Sequence, residues 1–207
     1  MKHNILMRGG LLLIAAALCL AGYNIHDSCR AAKSANKITR QLNEVIPSAI
    51  SLEEKLIPAQ QAQDTPKPAY VQNPEMEMPT AQVDGHSYIG ELDIPSLKLS
   101  LPVSDEWSYP NLKRSPCRYL GSVYLDHMII AAHNYESHFG RLKELNQGDE
   151  ILFTDITGNV FHYHVSETDT LPPTAIEELE SDEWDLTLFT CTIGGKARLA
   201  VRCTRQK

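Results

Sequence analysis

Cys191 closes the run Leu186-Thr187-Leu188-Phe189-Thr190-Cys191, and Arg198 follows seven residues later. A thiolate is a strong nucleophile toward carbonyl carbon, and a guanidinium that keeps its charge at every working pH favours thiolate over thiol. For the two to meet, the chain must reverse between them. The run into Cys191 is rich in β-branched and aromatic residues and predicts a strand. Thr192 to Lys196 contains Gly194-Gly195, which can take positive φ and predicts a tight turn. Arg198-Leu199-Ala200-Val201-Arg202-Cys203 alternates like a returning strand. Cys191 and Arg198 are therefore expected as neighbours across the mouth of a hairpin, an arrangement suited to acyl transfer.

A second titratable residue ends the apolar run Met128-Ile129-Ile130-Ala131-Ala132, namely His133, followed by Asn134. A His and a Cys far apart in sequence, each launched from a strand terminus, can form an acid/base and nucleophile pair. Taken singly, a free cysteine is most often a small buried apolar residue and a lone histidine a hydrogen-bonded structural one. The strand-end placement of both, with Arg198 at hand, favours catalysis. Arg202 is the rival cation; it lies on the same strand face as Arg198 but farther from the turn, and with Arg205 it is expected to serve surface ion pairs. Leu188 and Thr190, just ahead of the thiol, are candidate substrate contacts.

These pieces in this order resemble the sortases, cysteine transpeptidases of Gram-positive surfaces. The likeness rests on Thr187-Leu188-Phe189-Thr190-Cys191, on Ala131-Ala132-His133-Asn134 and on the strand starting at Arg198. Tyr88-Ile89-Gly90-Glu91-Leu92-Asp93-Ile94-Pro95 and Leu101-Pro102-Val103 look like that family's opening strands, so the resemblance spans roughly residues 84 to 207. It implies a closed eight-stranded β-barrel and cleavage of a C-terminal Leu-Pro-x-Thr-Gly-like sorting signal through a Cys191 thioester. It further implies transfer of the surface protein to an amine of a peptidoglycan precursor or a pilin. In these roles His133 is the acid and base, and Arg198 stabilises the oxyanion or fixes the substrate backbone. No cofactor is implied. The short step from Cys191 to Arg198 looks more like class B or class D members than class A. A hydrolytic cysteine endopeptidase stays open, although the local Gln-Ala-Cys signature of caspase-type enzymes is absent; so does a non-catalytic surface module.

The elements that must position these residues read as mostly β, with a few short helices. Glu150 to Asp155 and Val160 to Glu167 flank Ile156-Thr157-Gly158-Asn159, a hairpin signature. A helical turn is expected near Gly140–Leu145, and Pro172 to Leu179 predicts a short helix with prolines in its first turn. His162 and His164 share a strand face, yet Phe161, Tyr163 and Val165 alternate against them, so the imidazoles are expected to face solvent. With no CxxC or HExxH pattern, no metal site is expected. His138 sits near His133 and is more simply structural than part of the entrance. Cys117 and Cys203 leave a disulfide open.

The 207 residues carry a net charge of −7, which offers no basic surface for nucleic acid. Lys2 and Arg8 precede the uncharged stretch Gly9 to Ile25, expected to be an uncleaved membrane helix, basic end inside and the catalytic domain extracellular. A signal peptide cut near Cys19-Leu20-Ala21 is the competing reading. The expected organisation is a membrane anchor over 1–28, a stalk over 29–80 and the catalytic domain over 81–207. Ala31, Ile38, Leu42, Val45 and Ile46 give the stalk a helical half ended by Pro47, and five prolines between Pro58 and Thr80 give it an extended half.

Overall fold

Nine strands joined by short helical turns follow one long helix in a computed structural model that describes residues 2–47 and 67–206. The strands are β1 (Ala81–Val83), β2 (His86–Ile94), β3 (Leu99–Ser104), β4 (Cys117–Ser122), β5 (His127–Ala131), β6 (Glu150–Asp155), β7 (Val160–Leu171), β8 (Leu186–Cys191) and β9 (Arg198–Arg205). Hydrogen bonding runs in the order β1-β2-β3-β4-β5-β8-β9-β7-β6, and β6 returns to β2. Strands β2 to β9 thus close an eight-stranded barrel, while β1 pairs only with the first residues of β2. Pairs β3–β4 and β5–β8 are parallel and the rest antiparallel.

Closure depends on Gly90, where β2 changes partners: Tyr88 pairs with Ala81, and Gly90 pairs with Asp155. A Cβ at Gly90 would collide with the Thr154 carbonyl oxygen, so this seam admits only glycine. The barrel interior is filled by alternate strand residues, among them Leu92, Ile130, Phe153, Phe161, Leu188 and Val201. A second apolar cluster coats the outer face of β5, β8 and β9, formed by Ile129, Ala131, Phe189 and Ala200. The loop between β7 and β8 covers it through Leu179 of the one-turn helix α4 (Ile176–Leu179).

The mostly β reading and the closed barrel are what the structure has. The β6–β7 hairpin turns on Asp155, whose carboxylate accepts from the Thr157 and Asn159 amides and from the Tyr124 hydroxyl. Phe161, Tyr163 and Val165 point inward and His162 outward, as alternation requires. Helix α4 departs from expectation. Its prolines form a turn ahead of it, with the Ala175 amide donating to the Pro172 carbonyl, and Ala175 is the cap.

The first helix, α1, runs Lys2–Asn43, and its stretch from Gly9 is long and apolar enough to cross a membrane. Leu11, Leu12, Leu13, Ile14, Leu18, Leu20, Tyr23 and Ile25 are each 61–74% exposed, so no protein surface covers them. Beyond Ser28 the helix changes character. Ala31, Ala35, Ile38 and Leu42 are buried, the last two in a cluster with Ala81, Val83 and Tyr88. The helical half of the stalk therefore lies on the barrel rather than standing free, because its apolar stripe meets that of β1 and β2. Val45 is 54% exposed and outside that stripe, with Ala35 completing it instead. Of the extended half, residues 58–66 lie outside the described residues. Residues 67–80 pack on the barrel: Tyr70 of the short helix α2 (Ala69–Gln72) stacks on Tyr124 at 4.8 Å, and Met78 is buried.

Candidate active site

Three strand ends meet at one rim of the barrel. Strands β5 and β8 run parallel in register from Met128↔Leu186 to Ala131↔Phe189, and the Ala132 amide donates to the Phe189 carbonyl at 3.1 Å. Carried two residues on, this register brings His133 alongside Cys191. On the other side of β8, Cys191 pairs directly with Arg198. Neighbouring strands lie about 4.8 Å apart, so Arg198 stands next to Cys191 and the parallel β5–β8 register leads toward His133 on the other side. The hairpin mouth is built as its residues predict. The Thr192 amide donates to the Ala197 carbonyl at 2.8 Å, the Thr192 hydroxyl accepts from the Ala197 amide at 3.0 Å, and Gly194 and Gly195 take φ of 81° and 68°.

Cys191 is exposed, whereas Cys117 and Cys203 are fully buried; all three are free thiols. Burial pushes the Cys117 thiol up to about 12 and the Cys203 thiol up as well, which leaves both inert. Cys191 opens on a cavity of about 430 Å³ that Asn134, Lys143, Thr190, Ile193 and Leu199 help to line. His133 is half-buried just beyond β5. That burial holds its imidazole below the ordinary histidine range; Asp27 on α1 draws it back up and Lys113 presses it further down. The Arg198 guanidinium lies over the Phe189 ring at 5.9 Å, and its Nη1 is buried without a hydrogen-bond partner among the described residues. A buried cationic donor with a free N–H suits a carbonyl or oxyanion.

Two expected substrate contacts fare differently. Thr190 lines the cavity beside Cys191, with its hydroxyl buried and unpartnered among the described residues. Leu188 does not reach it. Its side chain is fully buried in the barrel core, because strand alternation turns it away from Cys191, so it offers a substrate no surface. Phe189, two residues from the thiol and on its face, is buried in the second apolar cluster. From Phe189 an aromatic row leads outward, to Tyr119 at 5.4 Å edge-on and from there to Trp107 at 6.2 Å. Tyr119 and Trp107 carry no motif that would single them out in the sequence.

Arg202 and Arg205 are not spare surface cations. Arg202 is 2% exposed and donates to the Glu178 carbonyl at 2.6 Å, the Leu179 carbonyl at 3.1 Å, Thr187 Oγ1 at 3.1 Å and Asp169 Oδ2 at 3.2 Å. It ties the end of α4 to the sheet. Arg205 pairs with Asp126 at 2.5 Å and caps the Phe161 ring. His138 is buried beneath α1 near the Ala31 backbone, and burial pushes it down to about 4, so it is structural. Among the described residues no group of three or more His, Cys, Asp or Glu could hold a metal ion.

The family model of the sortase domain matches residues 92–206, more than half of the chain. The chain belongs to the sortase family. Sortases are cysteine transpeptidases that anchor or polymerise surface proteins, and that is the enzyme class of this chain. Solved sortases share its fold. A sortase C1 from Streptococcus suis matches at 28% identity and TM-score 0.51, over 59% of this chain and 74% of that one. A Streptococcus pneumoniae sortase C matches at 25% identity and TM-score 0.52, over 61% and 71% of the two chains. A Clostridium perfringens sortase D5 transpeptidase, 22% identical with TM-score 0.51 over 58% and 79%, shows the fold alone. The class B or class D reading of the sequence is not confirmed, since those of these matches at 25% identity or above are sortase C enzymes. No curated protein matches the chain.

Proposed function

We propose that this sortase cleaves a C-terminal Leu-Pro-x-Thr-Gly-like sorting signal and joins the surface protein to an amine of a cell-wall precursor or a pilin. Cys191 Sγ attacks the scissile carbonyl carbon, and the tetrahedral oxyanion forms against the Arg198 guanidinium. Collapse breaks the C–N bond, with His133 giving its proton to the departing amine. The incoming amine then attacks the thioester, loses a proton to His133 and releases the Cys191 sulfur. Thr190 lines the approach. The observation that supports this reading is the exposed Cys191 thiol at the end of β8, paired with Arg198 on β9, beside a parallel β5 whose register leads toward His133.

The catalytic domain in this reading begins near residue 81, residues 29–80 join it to the helix, and residues 1–28 form a single-pass anchor. Lys2 and Arg8 keep the N-terminus inside and the barrel faces outward, at a Gram-positive surface. Pilin substrate specificity is named for the Streptococcus pneumoniae sortase C, which favours a pilin amine among the acceptors.

The test is incubation of the full-length protein with a sorting-signal peptide and a primary amine, read by mass spectrometry. A peptide–amine conjugate, absent in Cys191→Ala, is expected. Hydrolysed peptide alone would point to an endopeptidase. No cleavage, with Cys191 alkylated no faster than buried Cys117, would return the surface-module reading.

A further inference from the structure

We propose that Asp27 and Tyr135 are positioning residues: together they clamp the loop carrying His133 to α1, which makes the first helix part of the catalytic apparatus. The inference rests on the acid/base role of His133 given above. The Tyr135 hydroxyl donates to Asp27 Oδ2 at 2.5 Å across 108 residues of sequence. The Ser137 hydroxyl donates to the Ser28 carbonyl of the same helix at 3.4 Å. Asp27 is itself oriented, since Arg30 donates to its other oxygen at 2.7 Å.

The loop from His133 to Gly140 transmits this clamp because it is closed on itself. The His138 and Gly140 amides donate to the Tyr135 carbonyl, each at 2.9 Å, and the Phe139 amide donates to the His133 carbonyl at 3.2 Å. The closure is tight enough that a Cβ on Gly140 would meet the Asn134 and Tyr135 carbonyl oxygens at 2.6 and 2.8 Å. Phe139 is fully buried in the barrel core, and the His133 and Tyr135 rings lie 5.0 Å apart. Tyr135 therefore cannot shift without moving His133. The charged and titratable groups facing His133 are Asp27 from α1, Lys113 beyond the short helix α3 (Tyr109–Leu112), Tyr135 and His138 within the loop and, on the β5–β8 register, Cys191 of β8, with Arg30 partly offsetting Asp27. Of these, Asp27 favours the imidazolium that must donate the proton.

The experiment uses the full-length protein in lipid nanodiscs, with one sorting-signal peptide and one amine. It compares the parent with Tyr135→Phe, Asp27→Asn, Asp27→Glu and His133→Ala. Tyr135→Phe and Asp27→Asn should lower kcat about tenfold to a hundredfold, the scale of a misplaced catalytic group, with KM for the peptide near the parent value. In Asp27→Asn the NMR titration midpoint of His133 should move to lower pH, and Asp27→Glu should restore both rate and midpoint. Parental kcat in Tyr135→Phe and Asp27→Asn, with His133→Ala inactive, overturns the clamp alone. A rate loss equal in Asp27→Asn and Asp27→Glu, with the midpoint unmoved, overturns it too by leaving only a structural role. Parental turnover in His133→Ala overturns both the clamp and the acid/base assignment beneath it.

Discussion

Arg198 and Arg202 sit four residues apart on one face of β9 and do different work, and the difference is accessibility of their N–H groups. Arg202 spends its donors on two carbonyls, a hydroxyl and a carboxylate, whereas Arg198 has a buried Nη1 without a hydrogen-bond partner among the described residues. A lysine at 198 would keep the charge and lose the planar fork, so Arg198→Lys should be nearly as inactive as Arg198→Ala. Losing one preorganised oxyanion donor costs about a hundredfold to a thousandfold in rate, which steady-state kinetics on the two variants would measure. Near-normal rates for Arg198→Lys would mean that charge alone suffices. His133 yields a second test. Its folded-state value is depressed by burial, so it should hold its proton less well than a free histidine and titrate below ~6.5 by NMR. Removing the repulsion in Lys113→Ala should raise that midpoint. A midpoint at or above ~6.5 in the parent would contradict the burial argument.

At the scale of elements, the ends of three strands were legible because alternation and glycine placement are short-range signals. The Gly194-Gly195 turn fixes the β8–β9 register, and register alone opposes Cys191 to Arg198. The same period of two turns Leu188 into the barrel core, away from the face of Cys191. The burial of Arg202 was not legible, because it answers to the carbonyls of α4, an element too short to announce its neighbours. Removing that side chain leaves the Glu178 and Leu179 carbonyls without their donor. Arg202→Ala should therefore cost about 2–4 kcal/mol in urea unfolding, far more than a surface cation would. A loss below ~0.5 kcal/mol, typical of surface sites, would show the tether to be idle. His138, under α1, has a folded value near 4 against an unfolded ~6.5, and a lowered histidine binds protons more readily when unfolded. Stability should thus be complete above ~6.5 and fall as the pH drops toward 4, by about 2 kcal/mol at pH 5. Comparing urea unfolding of the parent and His138→Leu at pH 7.5 and 5.0 isolates this contribution; equal pH dependence in both would exclude it.

Taken as a whole, the molecule is a barrel seated on the helix that carries its apolar span. Barrel and span were each readable, the first from strand spacing and the second from an uncharged run. Their contact was not, since Asp27 and Tyr135 are 108 residues apart and no local pattern joins them. That separation is general here. β5 finds β8 only after the whole β6–β7 hairpin has intervened, and β2 finds β6 across some sixty residues. Topologies ruled by distant pairings fold slowly, because chain entropy is lost before contacts return it. On the proposed roles, Cys191 and His133 lie on opposite sides of that delay, so a chain whose barrel has not closed carries a thiol but no assembled site. In stopped-flow refolding, activity should arise only with the slowest phase, while hairpin fluorescence or amide protection of β6–β7 comes earlier. Activity arriving with the first phase would mean that the rim assembles without the ring. A late-forming site leaves the newly made protein unable to cut neighbouring chains while they are still unfolded.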